Sequence, residues 1–396
     1  MRALRRPVAK VSHPCIPIQH HPVTARHGWV TLSPMKGLRL GLVVAALAFG
    51  VACNAAAQCA TILPPPTPTG GISLPPPVPT AGITPAAAPV PGCASGGGGG
   101  GGACTTWTWT ARESNRAWSG IASSSDGTKL VAVVNGGQIY TSTNSGVTWT
   151  ARESNRSWYA VASSSDGTKL VAVDSAPGFI YTSTDSGVTW TARGISKAWH
   201  AVGSSPDGVT LVAGGYLAGD RLYRSTDSGV TWTQLVSPGT SQWSQIQSSS
   251  NGTHRVARTT SRIYVSHDSG ATWTLKDSTL NPGLTYGATI SYNGQIIFTG
   301  PNTNDFIEKS VDGGATWAEI SNIYGGVLTM SSDGSIVVTT SYSLGQDVNL
   351  STDSGATWSP QGVGGSLNYT AVAMSSDGHN IAIVANGDRI YTATCH

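Results

Sequence analysis

Glutamate is nearly missing from this sequence, with four residues among 396. Charged side chains of every kind make up only 11% of the chain, and phenylalanine occurs four times. Surface helices need a charged face, so this scarcity, beside 49 glycines, argues against a helical protein. It favours an all-β chain of short strands and tight turns. Past residue 57 paired histidines are also lacking, since His200, His254, His267, His379 and His396 read as isolated and no metal-ligand spacing occurs. No phosphate-binding loop opens a helix, and no Gly-x-Ser-x-Gly elbow is present. No cofactor and no metal are therefore expected.

The charge that exists is unevenly placed. Residues 1–58 hold seven Lys/Arg and no acid, whereas from Arg112 onward sixteen basic residues face twenty acidic ones, a net charge of −4. That balance speaks against nucleic acid as a partner. The basic start leads from Met35-Lys36 into an apolar run, Leu40 to Ala52, and then Ala55-Ala56-Ala57. This order describes a signal peptide over 35–57 within a targeting region 1–57, in a run too short for a confident membrane span. Met35 is an alternative start to Met1, with residues 1–34 then an annotation error or an organelle-targeting prefix. Cys53, after Gly50-Val51-Ala52, offers a lipidation alternative, the one route to a membrane, although Gly50 stands where that motif wants leucine.

Residues 58–103 read as an unfolded linker. Leu63-Pro64-Pro65-Pro66 and Leu74-Pro75-Pro76-Pro77 suit polyproline, and Gly96 to Gly102 is an unbroken glycine run. Export and an even count of mature cysteines, Cys59, Cys93, Cys104 and Cys395, point to disulfides with three connectivities.

From residue 104 the chain repeats. Trp109, Trp149, Trp190, Trp232, Trp273, Trp317 and Trp358 follow one another at steps of 40, 41, 42, 41, 44 and 41 residues. A fixed period near 40 means a solenoid or a propeller. Each period holds four strand-like runs, such as Trp158–Ser163, Lys169–Val173, Phe179–Ser183 and Thr189–Ala192, so each builds a four-stranded blade. Before each later Trp stands a box, S-x-D-x-G-x-T-W. Its acid is Asp185, Asp227, Asp268, Asp312 or Asp353, with Asn144 in the first copy. The Asp side chain is expected to accept from amides two and three residues ahead, with Gly187 left-handed and the Trp packed where box meets blade.

These boxes resemble the Asp-box, or BNR, repeat of sialidase-like propellers over residues 105–396. The resemblance implies a seven-bladed β-propeller. The last repeat stops before its fourth strand, and Thr105–Thr110 supplies one, so the ring is expected to close by pairing N-terminal with C-terminal strands. Cys104 and Cys395 then stand where the seventh box would be and are expected to bond, which leaves Cys59 for Cys93. The chain also resembles the photosystem II stability and assembly factor family, which implies a thylakoid-lumen alternative.

The sialidase resemblance carries fold and not activity, because no Arg-Ile-Pro start exists. Five more aspartates sit in Asp-Gly turns (Asp126, Asp166, Asp207, Asp333 and Asp377). Asp174, Asp220, Asp305 and Asp388 fall near second-to-third-strand loops, and a glycosidase would need two of them facing one sugar at about 5–10 Å. Nothing marks such a pair, so no catalytic residue is assigned, and a secreted glycoside hydrolase is the alternative reading.

A surface pattern remains. Fourth-to-first-strand loops place Arg112, Arg116, Arg152, Arg156, Arg193 and Lys197 on one face, followed by Trp118, Trp158 and Trp199, with Trp243 and Tyr369 at the same offset. One reading is a basic, aromatic-rimmed mouth over a central channel that binds a protein or a glycan. The other packs the rings between blades and pairs the cations locally. The expected protein is an exported, monomeric, non-catalytic binding scaffold, secreted or at the cell surface, with periplasm or thylakoid lumen as alternatives.

Overall fold

The four runs of the second repeat form four strands, Thr150–Ser163, Leu170–Asp174, Gly178–Ser183 and Thr191–Lys197. The computed structural model describes residues 106–276, 285–301, 306–340, 348–364 and 367–396. All belong to the second of the chain's two units, Ile72–His396. The targeting region, the linker, Asp305 and the cysteines Cys59, Cys93 and Cys104 lie outside the described residues. No helix occurs among the described residues, and the class is all-β.

Four sheets are antiparallel and four-stranded, each made by one repeat, for example Trp199–Ser204, Leu211–Gly215, Leu222–Ser225 and Thr233–Gln234. The remaining strands form an eight-stranded sheet. In it the strand Trp107–Ser123 pairs through residues 107–117 with Asn380–Cys395 and through residues 118–123 with Leu130–Ser142. The first strand of the chain thus lies on the last, in register from Trp107 opposite Cys395 to Arg112 opposite Ile390.

Second strands such as Leu170–Asp174 are buried along their whole length, which explains their unbroken apolar run. Each core cluster is shared by two repeats: Val131, Val133 and Ile139 pack against Trp158, Leu170 and Tyr181. One cluster joins Trp118 and Ile121 to Ala382, Val384 and Ile390 at the other end of the chain. Serine turns at the ends of the inner strands add a relay of backbone hydrogen bonds. Tyr292 N donates to Ser332 O (2.8 Å), Ser332 to Ser376 (2.8 Å), Ser376 to Ser125 (2.7 Å), Ser125 to Ser165 (2.8 Å) and Ser165 to Pro206 (2.7 Å). Proline has no N–H to pass the relay on. The Asn251 side chain joins it again by donating to Tyr292 O at 2.8 Å.

The expected bond from the amide three residues ahead occurs at Asp268 (Ala271 N, 3.0 Å) and Asp312 (Ala315 N, 2.9 Å), and every box also reaches one residue further. Asp185 accepts from Thr189 N, four residues ahead, at 2.9 Å, from Thr189 Oγ1 at 2.6 Å and from Ser183 Oγ at 2.7 Å. A second residue also turns left-handed, because Ser186 (φ 58°) precedes Gly187 (φ 84°), and two such residues lengthen the loop. Trp190 Nε1 closes it on Gly187 O at 3.0 Å, and Trp149, Trp232, Trp273 and Trp358 repeat that bond. Asn144 serves in the first box because its amide donates to Thr148 Oγ1 (2.9 Å) where a carboxylate would accept.

Hydrogen bonds from Thr189 first, and then from its backbone, hold the Asp185 carboxyl down at about 2, and Asp227, Asp312 and Asp353 are held at about 2 in the same way. A depressed carboxyl stabilises the fold above its unfolded value of 3.8 and ceases to do so as pH falls through the folded value. The melting temperature is therefore expected to hold down to about pH 4 and to fall steeply from there to pH 2. In calorimetric melts, replacing Asp185 and Asp353 by Asn, the residue the first box uses, should flatten that fall.

Arg255 is fully buried where other repeats carry Leu130, Leu170, Leu211, Ile297 or Val337. Only its Nη2 is bonded, to Thr210 O at 3.0 Å, while Nε and Nη1 have no partner. Burial first, and then Arg224, bring its guanidinium down to about 10. Arg255→Leu is expected to raise unfolding free energy by about 1–3 kcal/mol in urea melts, since a buried charge without a carboxylate costs more than it returns.

Candidate binding site at the mouth of the inner strands

The inner strands enclose two cavities. One, of about 370 Å³, lies at their first residues, and the other, of about 230 Å³, lies at the serine turns. Both are lined by Ile121, Val161, Val202, Ile246 and Val372, which form an apolar waist between them.

The aromatic positions are buried, as the packing reading of them has it. Trp118, Trp158 and Trp243 have no exposed surface, Trp199 has 1% and Tyr369 has 3%. Each Trp sets its edge or tilted face on a third-strand tyrosine, Trp158 on Tyr181 at 4.9 Å and Trp199 on Tyr223 at 5.3 Å. Trp158 Nε1 donates to Ser154 O at 3.2 Å. A ring packed in this way has no face to offer a ligand.

The loop cations are likewise engaged by side chains of their own or the adjoining sheet. Arg116 pairs with Glu113 (3.2 Å) and lies 4.6 Å over the Tyr140 ring. Arg156 pairs with Glu153 (3.7 Å) and lies 4.7 Å over Tyr181. Lys197 is ion-paired with Asp220. Arg112, Arg152 and Arg193 each donate Nε to a third-strand threonine, Thr392, Thr141 or Thr182, at 3.1 Å. They reinforce strand pairing, and Arg116, Arg156 and Lys197 are paired locally, as the second of the two readings has it.

Of the loop carboxylates, Asp174, Asp220 and Asp388 do not line the mouth cavity. Asp220 is taken by Lys197 and by the amide of Leu217 (2.9 Å). Asp174 is buried, and burial raises its carboxyl above the usual range against the pull of Arg156. Asp388 accepts from the amide of Arg389 at 2.8 Å.

What faces the mouth cavity is the residue after each buried aromatic, together with the ends of the second strands. Ser119, Tyr159, His200, Ser244 and Thr370 line it with Gln245, Asn368 and Arg258. His200 is sandwiched between Tyr159 (3.8 Å) and Tyr216 (4.2 Å). Burial pushes its imidazole down to about 4, so it is neutral at physiological pH. Its Nδ1 is buried without a hydrogen-bond partner. Burial also raises the Tyr159 phenol, against the opposing pull of Arg258. Arg258 Nε donates to Gln245 Oε1 at 2.9 Å, and that oxygen also accepts from the amide of Ala288 at 3.0 Å. No Asp or Glu stands among the described lining residues. The wall offers a guanidinium, amides and hydroxyls around an aromatic stack, which suits recognition of peptide or sugar groups and supplies no acid–base pair.

Sequence reading missed Arg258. It stands where the repeats carry Val133, Val173 and Gly214, and aligning the second strands would have shown it, as it would have shown Arg255. His254 and His267, read as isolated, are in fact brought together. Among the described residues no group of three or more His, Cys, Asp or Glu forms a metal cage.

No family model and no curated protein sequence matches the chain. Solved structures do match. YCF48 bound to D1 peptide shares 15% identity at a TM-score of 0.57, over 73% of this chain and 96% of that one. YCF48 from Cyanidioschyzon merolae shares 15% at 0.56, over 73% and 98%. The GH74 xyloglucanase from Xanthomonas campestris shares 15% at 0.56, over 72% of this chain and 53% of that enzyme. At such identity the likeness concerns the fold alone, and that fold is a β-propeller.

Proposed function

We propose that this chain is an exported, non-catalytic seven-bladed propeller that binds a protein ligand at the mouth of its inner strands. The observation that carries this reading is the mouth cavity, where Arg258, Gln245 and the Tyr159–His200–Tyr216 stack meet and no described carboxylate intrudes. A hydrolytic site would need a facing carboxylate pair, and Asp174, Asp220 and Asp388 are not among the residues that line the mouth cavity. Support for a protein ligand comes from the propeller YCF48, whose structure holds a D1 peptide. The xyloglucanase neighbour favours a glycan as the second reading.

Seven blades are supported by the seven tryptophan-initiated units and by the pairing of the first strand with the last. The boxes support membership among Asp-box propellers. A Cys104–Cys395 bond that ties the chain ends is favoured by the place of Cys395, which is disulfide-bonded and stands opposite Trp107. Secretion to the cell surface rests on the signal-like segment 35–57, with residues 58–103 as its tether. Periplasm and thylakoid lumen remain the alternatives.

Parallel peptide and glycan arrays, probed with the purified chain and its Arg258→Gln variant, test the reading. The expected outcome is peptide binding that weakens at least tenfold in the variant, with its melting temperature unchanged. Glycan binding lost in the same variant would support the second reading. Binding that Arg258→Gln leaves intact would place the site elsewhere. A variant with Arg112, Arg116, Arg152 and Arg156 all changed to Ala should keep the ligand and lose thermal stability, because these side chains serve their own loops.

A further inference from the structure

His254 immediately precedes the strand Arg255–Thr259, and His267 immediately follows the strand Ile263–Ser266. Arg255 lies opposite Ser266, so the two histidines form the next cross-strand pair. Their Nδ1 atoms are 2.8 Å apart and their ring planes meet at 73°. The matching pairs in other repeats are Lys169 with Thr184, Thr210 with Thr226, Ile296 with Val311 and Ile336 with Thr352. None of these pairs contains a histidine, and in this repeat both partners are histidine.

His267 is exposed and His254 is half-buried. The next repeat closes one side of the pair with Gly294 (φ +72°), where a Cβ would come within 2.6 Å of His254 Nδ1. Burial and then His267 hold the His254 imidazole below its usual value, which keeps its lone pair free of a second proton. Asp268 beside them is committed to its box, accepting from Thr272 N and Ser266 Oγ at 2.8 Å each.

Two imidazoles facing Nδ1 to Nδ1 can share one proton or one metal ion. With metal–nitrogen bonds of about 2.0–2.1 Å, two donors lie about 2.9 Å apart at a right angle and about 3.4 Å apart at the tetrahedral angle. The observed 2.8 Å fits the right angle. We propose that His254 and His267 form a surface chelate for a divalent ion of tetragonal preference, Cu²⁺ above Ni²⁺ and both above Zn²⁺, with water completing its coordination. Among the described residues no third His, Cys, Asp or Glu joins them, so the protein supplies two ligands. On binding, the ring that carried Nδ1–H shifts its proton to Nε2. Both Nδ1 lone pairs then bind the ion.

Calorimetric titration of the full chain with Cu²⁺, Ni²⁺ and Zn²⁺, beside His254→Thr, His267→Thr and the double variant, tests the site. Threonine is what the preceding repeat carries at both positions (Thr210 and Thr226), so the fold should tolerate it. The wild-type chain is expected to bind one more equivalent of Cu²⁺ than the double variant, each single variant to weaken that equivalent at least tenfold, and Zn²⁺ to bind it at least tenfold less tightly. Equal stoichiometry and affinity in wild type and double variant would overturn the proposal. Should the double variant fail to fold, Cu²⁺ added to the wild-type chain decides. Substoichiometric broadening of the His254 and His267 ring resonances supports the site, and rings that stay sharp refute it.

Discussion

No repeat in this chain has a core of its own. A four-stranded sheet of some forty residues presents two apolar faces, and each hydrophobic cluster is completed only by side chains from the neighbouring repeat. Everything else follows from that need for neighbours on both sides. Second strands read as unbroken apolar runs because both faces are covered, whereas the inner strands are only partly buried. The tryptophans that open them are spent on packing, and polar groups reach the mouth only one residue later. The serine relay works to the same end, since the turn amides of Ser125, Ser165, Tyr292, Ser332 and Ser376 are satisfied by the next repeat and not by their own.

Much of the fold was legible because the repeat period, the turn residues and the box chemistry act locally. The pairing of Trp107–Ser123 with Asn380–Cys395 was legible too, from a count of strands that left one missing at one end and one spare at the other. The candidate site was far less so. Successive strand residues point to opposite sides, so the aromatics and their polar successors exchange roles over a single position, and composition alone cannot tell which side is wet. The cations of the loops misled for a related reason. Glu113 and Glu153 were visible beside them, but Tyr140 and Tyr181, which their guanidinium groups cover, come from third strands far along the sequence. Arg258 and the His254–His267 pair are departures from the repeat, visible only when strands are laid over one another in register.

The fourth repeat gathers several such departures: Arg255 among aliphatic residues, Arg258 at the mouth, and the two facing histidines. Its neighbour brings Pro206, the one position where the backbone relay lacks a donor. Repeats that keep the common residues maintain the architecture. The one that departs from them carries the side chains best suited to recognition, and it carries a buried cation as well.

The strand at the chain's beginning is completed by the strand at its end. During synthesis residues 107–112 therefore wait, with apolar and β-prone side chains exposed, until the last sixteen residues arrive. Contacts of such sequence separation slow folding, and a chain that has not yet made this one is open to misassembly.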